Sequence, residues 1–148
     1  MQTQQLNRTD PEKITLVVKN VDGGGSITTG MGVALVQAGA SIDGISSIKS
    51  TAAAYKGFCG VAKQDIAIND FGVVTAWGLA DSVLISHEGS SITITRGDTL
   101  KPSAVGGAFA SSLTDQAIST LLYRYVYAAT TTEALSAQIW IKGVVRAV

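Results

Sequence analysis

The chain has very little of the chemistry that most catalytic and metal-binding sites require. Among its 148 residues there is one cysteine, Cys59, and one histidine, His87. A single cysteine excludes an internal disulfide and a cysteine-rich metal site. A single histidine excludes zinc sites that take two or three histidines from one chain. The sequence therefore predicts no metal site and no cofactor.

Charge is also sparse. Only 15% of the residues are charged, and eleven Lys and Arg balance eleven Asp and Glu, so the net charge is zero. A balanced chain has no field that attracts nucleic acid or an anionic membrane. No apolar run approaches the roughly 18 residues of a membrane span, and the polar N-terminus lacks the apolar core of a signal peptide. We expect synthesis in the cytoplasm, no membrane partner and no direct nucleic-acid binding.

The chain does contain short apolar segments separated by glycine-marked turns. The alternation of Ile14, Leu16 and Val18 with polar or smaller residues is typical of a strand. By the same pattern we predict strands at 31–38, near residue 45, at 55–62, 71–77, 123–127 and 137–148. Both faces of 71–77 are largely apolar, so we expect each face to be covered.

Two further elements are less regular. Residues 82–95 are predicted as a hairpin whose connection is 87–90, and Pro102 predicts a loop or an edge strand after it. Residues 112–122 fit a helix capped by Ser112, although a strand is equally open there. The predicted fold class is mainly β, an antiparallel sandwich or barrel with at most one short helix. We divide the chain into an extended N-terminal arm, 1–13, and a single β-rich domain, 14–148.

The sequence offers only weak candidates for a catalytic group of residues. A hydrolase would need His87 as its base, with Ser86 or Ser90 as the nucleophile, but a hairpin tip is a poor place for a preorganised triad. There is no G-x-S-x-G elbow. Most carboxylates stand beside glycine, asparagine or serine, where they stabilise turns. We therefore predict that the protein is not an enzyme, and a small hydrolase centred on His87 is the weakest hypothesis.

The apolar composition instead favours association. The mean hydropathy is +0.30, which is high for a chain whose whole surface faces water. Tryptophan and tyrosine are large, stiff and amphipathic, and they are enriched at interfaces. The residues predicted to lie at an oligomer or partner interface are Leu6 of the arm, Trp77, Tyr123, Tyr125, Tyr127 and Trp140.

Three segments also carry a family resemblance. Residues 55–78 contain Gly-Val-Ala, two residues, Asp-Ile-Ala, then Gly-Val-Val and Trp-Gly, and residues 92–102 and 141–148 extend the pattern. Together these segments resemble the small capsid decoration, or cement, proteins of tailed bacteriophages. The resemblance implies a mostly β protein without enzymatic activity.

Such a protein binds the outer surface of the mature head, commonly as a homotrimer, and clamps neighbouring copies of the major capsid protein. The location that this implies is the outer capsid surface of the virion. The alternative that stays open is a carbohydrate- or receptor-binding β module of a head fibre or tail.

Overall fold

The computed structural model describes residues 13–37, 43–54, 57–86, 92–94, 96–111, 125–128, 132–135 and 139–147. Within these ranges the chain forms strands and no helix, which confirms the predicted mainly β class. None of these residues forms a helix that is long and apolar enough to cross a bilayer. The strands are β1 (Ile14–Asn20), β2 (Gly32–Leu35), β3 (Ser46–Lys49), β4 (Phe58–Ala62), β5 (Phe71–Ile85), β6 (Ile92–Ile94), β7 (Thr99–Pro102), β8 (Phe109–Ser111), β9 (Tyr125–Ala128), β10 (Thr132–Leu135) and β11 (Ile139–Arg146).

Nine of these strands form one sheet, in the order β1-β3-β2-β4-β5-β11-β9-β7-β8. Both ends of the sheet return to β5, which pairs with β1 antiparallel and with β8 parallel. Strands β5, β11, β9, β7 and β8 therefore close a five-stranded barrel. Strands β1, β3, β2 and β4, together with β5, form a second closed ring of paired strands, and we call each of the two rings a circuit. The 15-residue β5 serves both because its first half pairs with β1 and its second half with β11.

Each circuit encloses its own cluster of buried apolar residues, and β4 contributes to both. Its five residues are all buried. Phe58 and Val61 belong to the cluster of the five-stranded barrel, whereas Cys59 and Ala62 belong to the cluster enclosed by β1 to β4. The Cys59 thiol donates a weak hydrogen bond to the Val33 carbonyl at 3.5 Å. Cys59 is a buried free thiol.

An aromatic contact lies within the cluster of the five-stranded barrel. Phe58 and Phe109 pack edge to face, with ring centroids 5.7 Å apart and planes at 87°. The Phe109 ring also presses on the backbone of β2 at Gly32, where a Cβ would lie 2.6 Å from Cζ of Phe109. Glycine at position 32 is thus required for this close approach.

The predicted hairpin over residues 82–95 is wrong. Val83 and Ile85 are fully buried on one strand, as the alternation indicates. However, that strand is the second half of β5, which pairs with β11 and β8, whereas β6 pairs with β10 in a separate two-stranded sheet. Alternation of apolar residues determines which face is buried and carries no information about the partner strand. Residues 87–90 lie outside the described ranges.

Side chains of the last strand alternate between the core and the surface. In β11, Ile141 and Val145 are buried, whereas Trp140, Lys142 and Val144 are exposed. Pro102 is the last residue of β7, where its missing N–H does not interrupt the ladder, and residues 103–108 after it form the predicted loop. The candidate helix 112–122 lies outside the described residues.

Candidate functional site

The most distinctive surface of the described chain is the outward face of β5. Even-numbered residues in its first half, among them Val74 and Ala76, are fully buried. Strand alternation places Phe71, Val73 and Trp77 on the opposite face. Phe71 is 59% exposed, and Val73 and Trp77 are partly buried. One of the two apolar faces predicted for 71–77 is therefore covered, whereas the described residues cover the other only in part.

The neighbouring strands extend this apolar face. Val17 of β1, 59% exposed, lies across from Val73, and Ile14, 41% exposed, lies across from Trp77. Leu79 continues the face of β5, and its partner on β11 is Val144, also 41% exposed. We call the resulting set of seven residues the β5 outer row: Ile14, Val17, Phe71, Val73, Trp77, Leu79 and Val144.

Charged groups lie at the two ends of the β5 outer row. At the Phe71 end, Nζ of Lys19 lies 6.0 Å from the centroid of the Phe71 ring, within reach of a cation–π interaction. At the Val144 end, Nζ of Lys13 lies 3.9 Å from the Asp81 carboxylate. Both members of that ion pair are solvent-exposed, so it stabilises the fold little. The row is thus charged at its ends and apolar between them, except where Thr75 and Thr15 lie between Val73 and Trp77.

A small cavity of about 90 Å³ opens beside the middle of the row. Thr75, of which only 5% is exposed, contributes to its wall, and its cross-strand partner Thr15 lies beside it. The other lining residues are Lys13, Thr29, Ala62, Lys63, Leu79, Ala80, Asp81 and Ser82. The volume suits a few water molecules or one inserted side chain and is far below the 300 Å³ or more typical of small-molecule sites.

Trp140 forms a second exposed apolar feature on β11. Its side chain is 58% exposed, and Nε1 donates to the Thr29 carbonyl at 3.4 Å. Gly30, with φ of 87°, gives the indole room, because a Cβ there would lie 3.0 Å from Cδ1 of Trp140. Trp140 therefore rests one edge on the loop between β1 and β2 and presents the rest of its ring to solvent.

Asp65 fixes the loop that supports Trp140. Its Oδ1 accepts hydrogen bonds from the Thr29 backbone N–H at 2.7 Å and from the Thr29 hydroxyl at 2.9 Å. These two bonds, the backbone one first, stabilise the carboxylate and hold the pKa of Asp65 below its ordinary value. The Asp65 carboxylate thus holds the Thr29 loop in place beside the cavity.

A second carboxylate holds the turn before β3 by hydrogen bonds. The Asp43 carboxylate accepts from the backbone N–H of Ser46 at 2.6 Å, from the Ser46 hydroxyl at 2.7 Å and from the Ile45 N–H at 2.9 Å. These bonds lower the pKa of Asp43 to about 2. A carboxylate with its lone pairs so occupied stabilises a turn and is a poor general base, which agrees with the turn role predicted for most of the acidic residues.

A wider, open depression of about 380 Å³ lies by the turn after β1 and is lined by Asp22, Gly24, Ile48, Lys49, Thr51 and Gly106. Asp22, the acidic group among these described lining residues, accepts hydrogen bonds from the backbone N–H groups of Gly24 and Lys49. Among the described residues, no three His, Cys, Asp or Glu side chains converge in a way that would hold a metal ion.

The predicted interface residues are distributed unevenly. Trp77 lies in the β5 outer row, and Trp140 is exposed on β11. Tyr125 and Tyr127 belong to β9, where their backbones pair with those of Arg146 and Val144. Leu6 and Tyr123 lie outside the described residues, as does His87.

The most exposed members of the row, Val17 and Phe71, were missed by sequence reasoning. Alternation in β1 placed Val17 opposite Leu16 and Val18, which is the observed arrangement. It also grouped Ile14 with Leu16 and Val18, which is wrong, because a register shift between Ile14 and Thr15 places Ile14 across from Trp77 on the outer face. Nothing local indicated that the described residues leave this face exposed. Phe71 opens a strand directly after a turn. The signal that identifies them is the pairing of β1 with β5, a long-range contact.

A scan against protein-family models finds none that matches this chain, and a search of curated proteins finds no matching relative.

Proposed function

We propose that this protein is a structural component of a bacteriophage virion that binds the outer surface of the capsid as a homo-oligomer, most simply a trimer. The single observation that carries the proposal is the β5 outer row, an apolar face that the described chain leaves in contact with water. Contiguous apolar surface of this kind on a soluble protein marks an association site. The resemblance of residues 55–78, 92–102 and 141–148 to capsid decoration proteins supplies the identity of the assembly.

The mechanism needs no chemistry. A capsid offers the same site many times, so a small oligomer that touches several capsid subunits at once gains avidity from contacts that are individually weak. Each bound oligomer then links neighbouring major capsid proteins, and separating those subunits requires breaking its contacts as well. In this function the Asp65 and Asp43 carboxylates hold loops in place, and no residue transfers a proton or a group.

The polar arm, 1–13, is our proposed capsid-contacting segment. Lys13 at its end is tied to Asp81 beside the cavity, so the arm leaves the domain next to the β5 outer row. Twelve extended residues can reach about 40 Å. An arm of that length can contact a capsid subunit by adding a strand to its sheet.

The test is co-sedimentation of the purified protein with mature heads that lack it. We expect saturable binding at a fixed number of copies per head and an increase in the temperature at which the heads release their DNA. A chain without residues 1–12 retains Lys13 and its ion pair, so it should keep its fold and bind heads more weakly. Undiminished binding by this truncated chain would refute the role of the arm, and no binding by the full chain would refute the function.

A carbohydrate- or receptor-binding module is the second candidate, and Trp140 is the observation that favours it. An exposed indole held at one edge by a hydrogen bond suits stacking against the face of a sugar ring. Glycan-array binding that is lost in Trp140→Ala, together with no sedimentation with heads, would replace the first proposal with this one.

A further inference from the structure

An exposed indole and a polar cavity lie next to one another on the described surface. Trp140 of β11 pairs with Leu84 of β5, and its Nε1 reaches the Thr29 carbonyl in the loop between β1 and β2. The same loop is bonded to β5, because the Leu84 N–H donates to the Gly30 carbonyl at 2.9 Å. The indole therefore lies across β5, from β11 to the loop, and Trp140 is still 58% exposed.

The cavity of about 90 Å³ begins at the edge of this indole. A Cβ at Gly30 would lie 2.8 Å from Oγ of Ser82 and 3.0 Å from Cδ1 of Trp140, so both groups border the same point of the loop. Ser82 and Thr29 also line the cavity. A ligand seated against the indole therefore has the mouth of the cavity beside it.

A β-bulge brings polar side chains to this mouth. The register of β11 on β5 shifts between Ile141 and Gly143, and there Asp81 and Ser82 together face the single residue Lys142. Bulges re-aim side chains and are frequent beside functional sites. Both bulge residues line the cavity, so the irregularity adds a carboxylate and a hydroxyl to its wall.

The cavity wall also carries a donor and an acceptor that do not saturate one another. Nζ of Lys13 lies 3.9 Å from Oδ2 of Asp81, which is too far for a direct hydrogen bond, and both side chains are exposed. A hydroxyl group can bridge such a pair, because it accepts from the ammonium and donates to the carboxylate. Sugars present several hydroxyl groups of this kind on one ring.

We propose that Trp140 and the adjoining cavity form a binding site for a pyranose sugar that carries an acetamido group. The apolar C–H face of the sugar ring stacks on the exposed indole. The acetamido group enters the cavity, and a ring hydroxyl bridges Lys13 and Asp81. The inference rests on the carbohydrate-binding function given above as the second candidate, and it does not depend on binding to heads.

The size and lining of the cavity select the acetamido group. A volume of about 90 Å³ accommodates about three water-sized groups, which matches the carbonyl carbon, oxygen and methyl group of an acetamide. A plain hydroxyl would leave the apolar part of the wall without contact. The wall is apolar at Ala62, Leu79 and Ala80 and carries hydroxyl groups at Thr29, Thr75 and Ser82.

The site keeps its shape without a ligand. The hydrogen bond from Nε1 to the Thr29 carbonyl fixes one edge of the indole. Thr29 is itself held by two hydrogen bonds to Asp65, and Gly30 leaves room for the ring. A binding surface that is already ordered costs little conformational entropy when the ligand arrives.

The experiment measures saturation transfer by NMR from the purified full chain to N-acetylglucosamine and N-acetylgalactosamine. Glucose and galactose are the matched sugars without the acetamido group. We expect transfer to the acetyl methyl protons of at least one amino sugar, a dissociation constant in the millimolar range, and at least threefold weaker binding of its plain counterpart. In the protein spectrum, the indole N–H signal of Trp140 should shift on binding and that of Trp77 should not.

Three variants locate the site. Trp140→Ala should abolish transfer, and Ser82→Val, which narrows the mouth, should reduce the amino sugar to the affinity of the plain sugar. Phe71→Ala is the matched control, because Phe71 is an aromatic residue of similar exposure, 59%, on the β5 outer row, and it should bind like the wild type. Circular dichroism checks the fold, and if Trp140→Ala is unfolded, Trp140→Phe tests the same position.

Each contrary result has one meaning. No transfer to any of the four sugars, or undiminished transfer in a folded Trp140 variant, overturns the site. Equal binding of the amino and plain sugars refutes the role of the cavity and leaves a carbohydrate-binding function standing. Co-sedimentation with heads is a separate measurement, so failure of the sugar site leaves the proposed virion function untouched, and failure to sediment leaves the sugar site untouched.

Discussion

Replacing either of two buried serines with alanine should change stability, in opposite directions at the two positions. Ser47 lies within β3, Ser50 directly follows that strand, and both are completely buried. The Ser47 hydroxyl donates to the Lys19 carbonyl at 3.0 Å. Among the described residues, the Ser50 hydroxyl is a buried side-chain oxygen with no hydrogen-bond partner. The same Ser→Ala change therefore removes a satisfied hydroxyl at one site and an unsatisfied one at the other.

The magnitudes follow from the cost of burying a polar group. An unsatisfied buried hydroxyl costs about 1–3 kcal/mol, and removing it creates only a small void, so Ser50→Ala should stabilise the protein by about 1 kcal/mol. Loss of the Ser47 hydrogen bond should destabilise it by about 1 kcal/mol. For a chain of this size, each change corresponds to a shift in Tm of about 2–4 °C.

The assay is urea unfolding followed by tryptophan fluorescence at a fixed protein concentration, with calorimetric Tm as a second measurement. Neither serine is exposed, so neither change alters a surface that another copy could cover. The free energies of unfolding should move in opposite directions from the wild-type value. If Ser50→Ala is as destabilising as Ser47→Ala, the Ser50 hydroxyl has a partner and the reasoning fails.

Three further predictions concern packing and pH. Phe109→Ala should destabilise the protein by about 3–5 kcal/mol in urea unfolding, because it removes a large, almost completely buried ring from the cluster of the five-stranded barrel. A loss below about 1 kcal/mol would contradict that packing role. Gly32→Ala should cost about 1–3 kcal/mol, because the added Cβ would clash with the Ser50 hydroxyl and with the Phe109 ring. Gly23→Ala, with open space around its Cβ, should be near neutral, and equal effects would show that β2 can shift. The pKa of Asp65 is lowered on folding, so the stability it contributes is present above the ordinary carboxyl pKa of about 3.9 and is lost as the pH falls through its folded value. Asp65→Asn should therefore lower Tm at pH 7 and lower it less at pH 2.5, and a pH-independent difference would exclude the Thr29 hydrogen bonds as its cause.

Local features of the sequence determined the strands. Alternation and glycine-marked turns predicted β1, β2, β4 and β11. These predictions succeed because a strand with one buried face must alternate, whichever strand lies beside it. The same alternation split β5 into two pieces, because the partly buried stretch from Gly78 to Ser82 interrupts the apolar pattern within one continuous strand.

Tertiary structure alone decided how the strands pair. The return of β1 and β8 to β5 closes the two circuits, and the pairing of β6 with β10 replaces the predicted hairpin. Partner choice depends on contacts between residues far apart in the chain, whose loop-closure cost and packing no local window contains. The β5 outer row has the same origin: Val17 and Phe71 are ordinary strand residues in the sequence, and they become an exposed apolar surface only because β1 lies along β5 with nothing from the described chain above them.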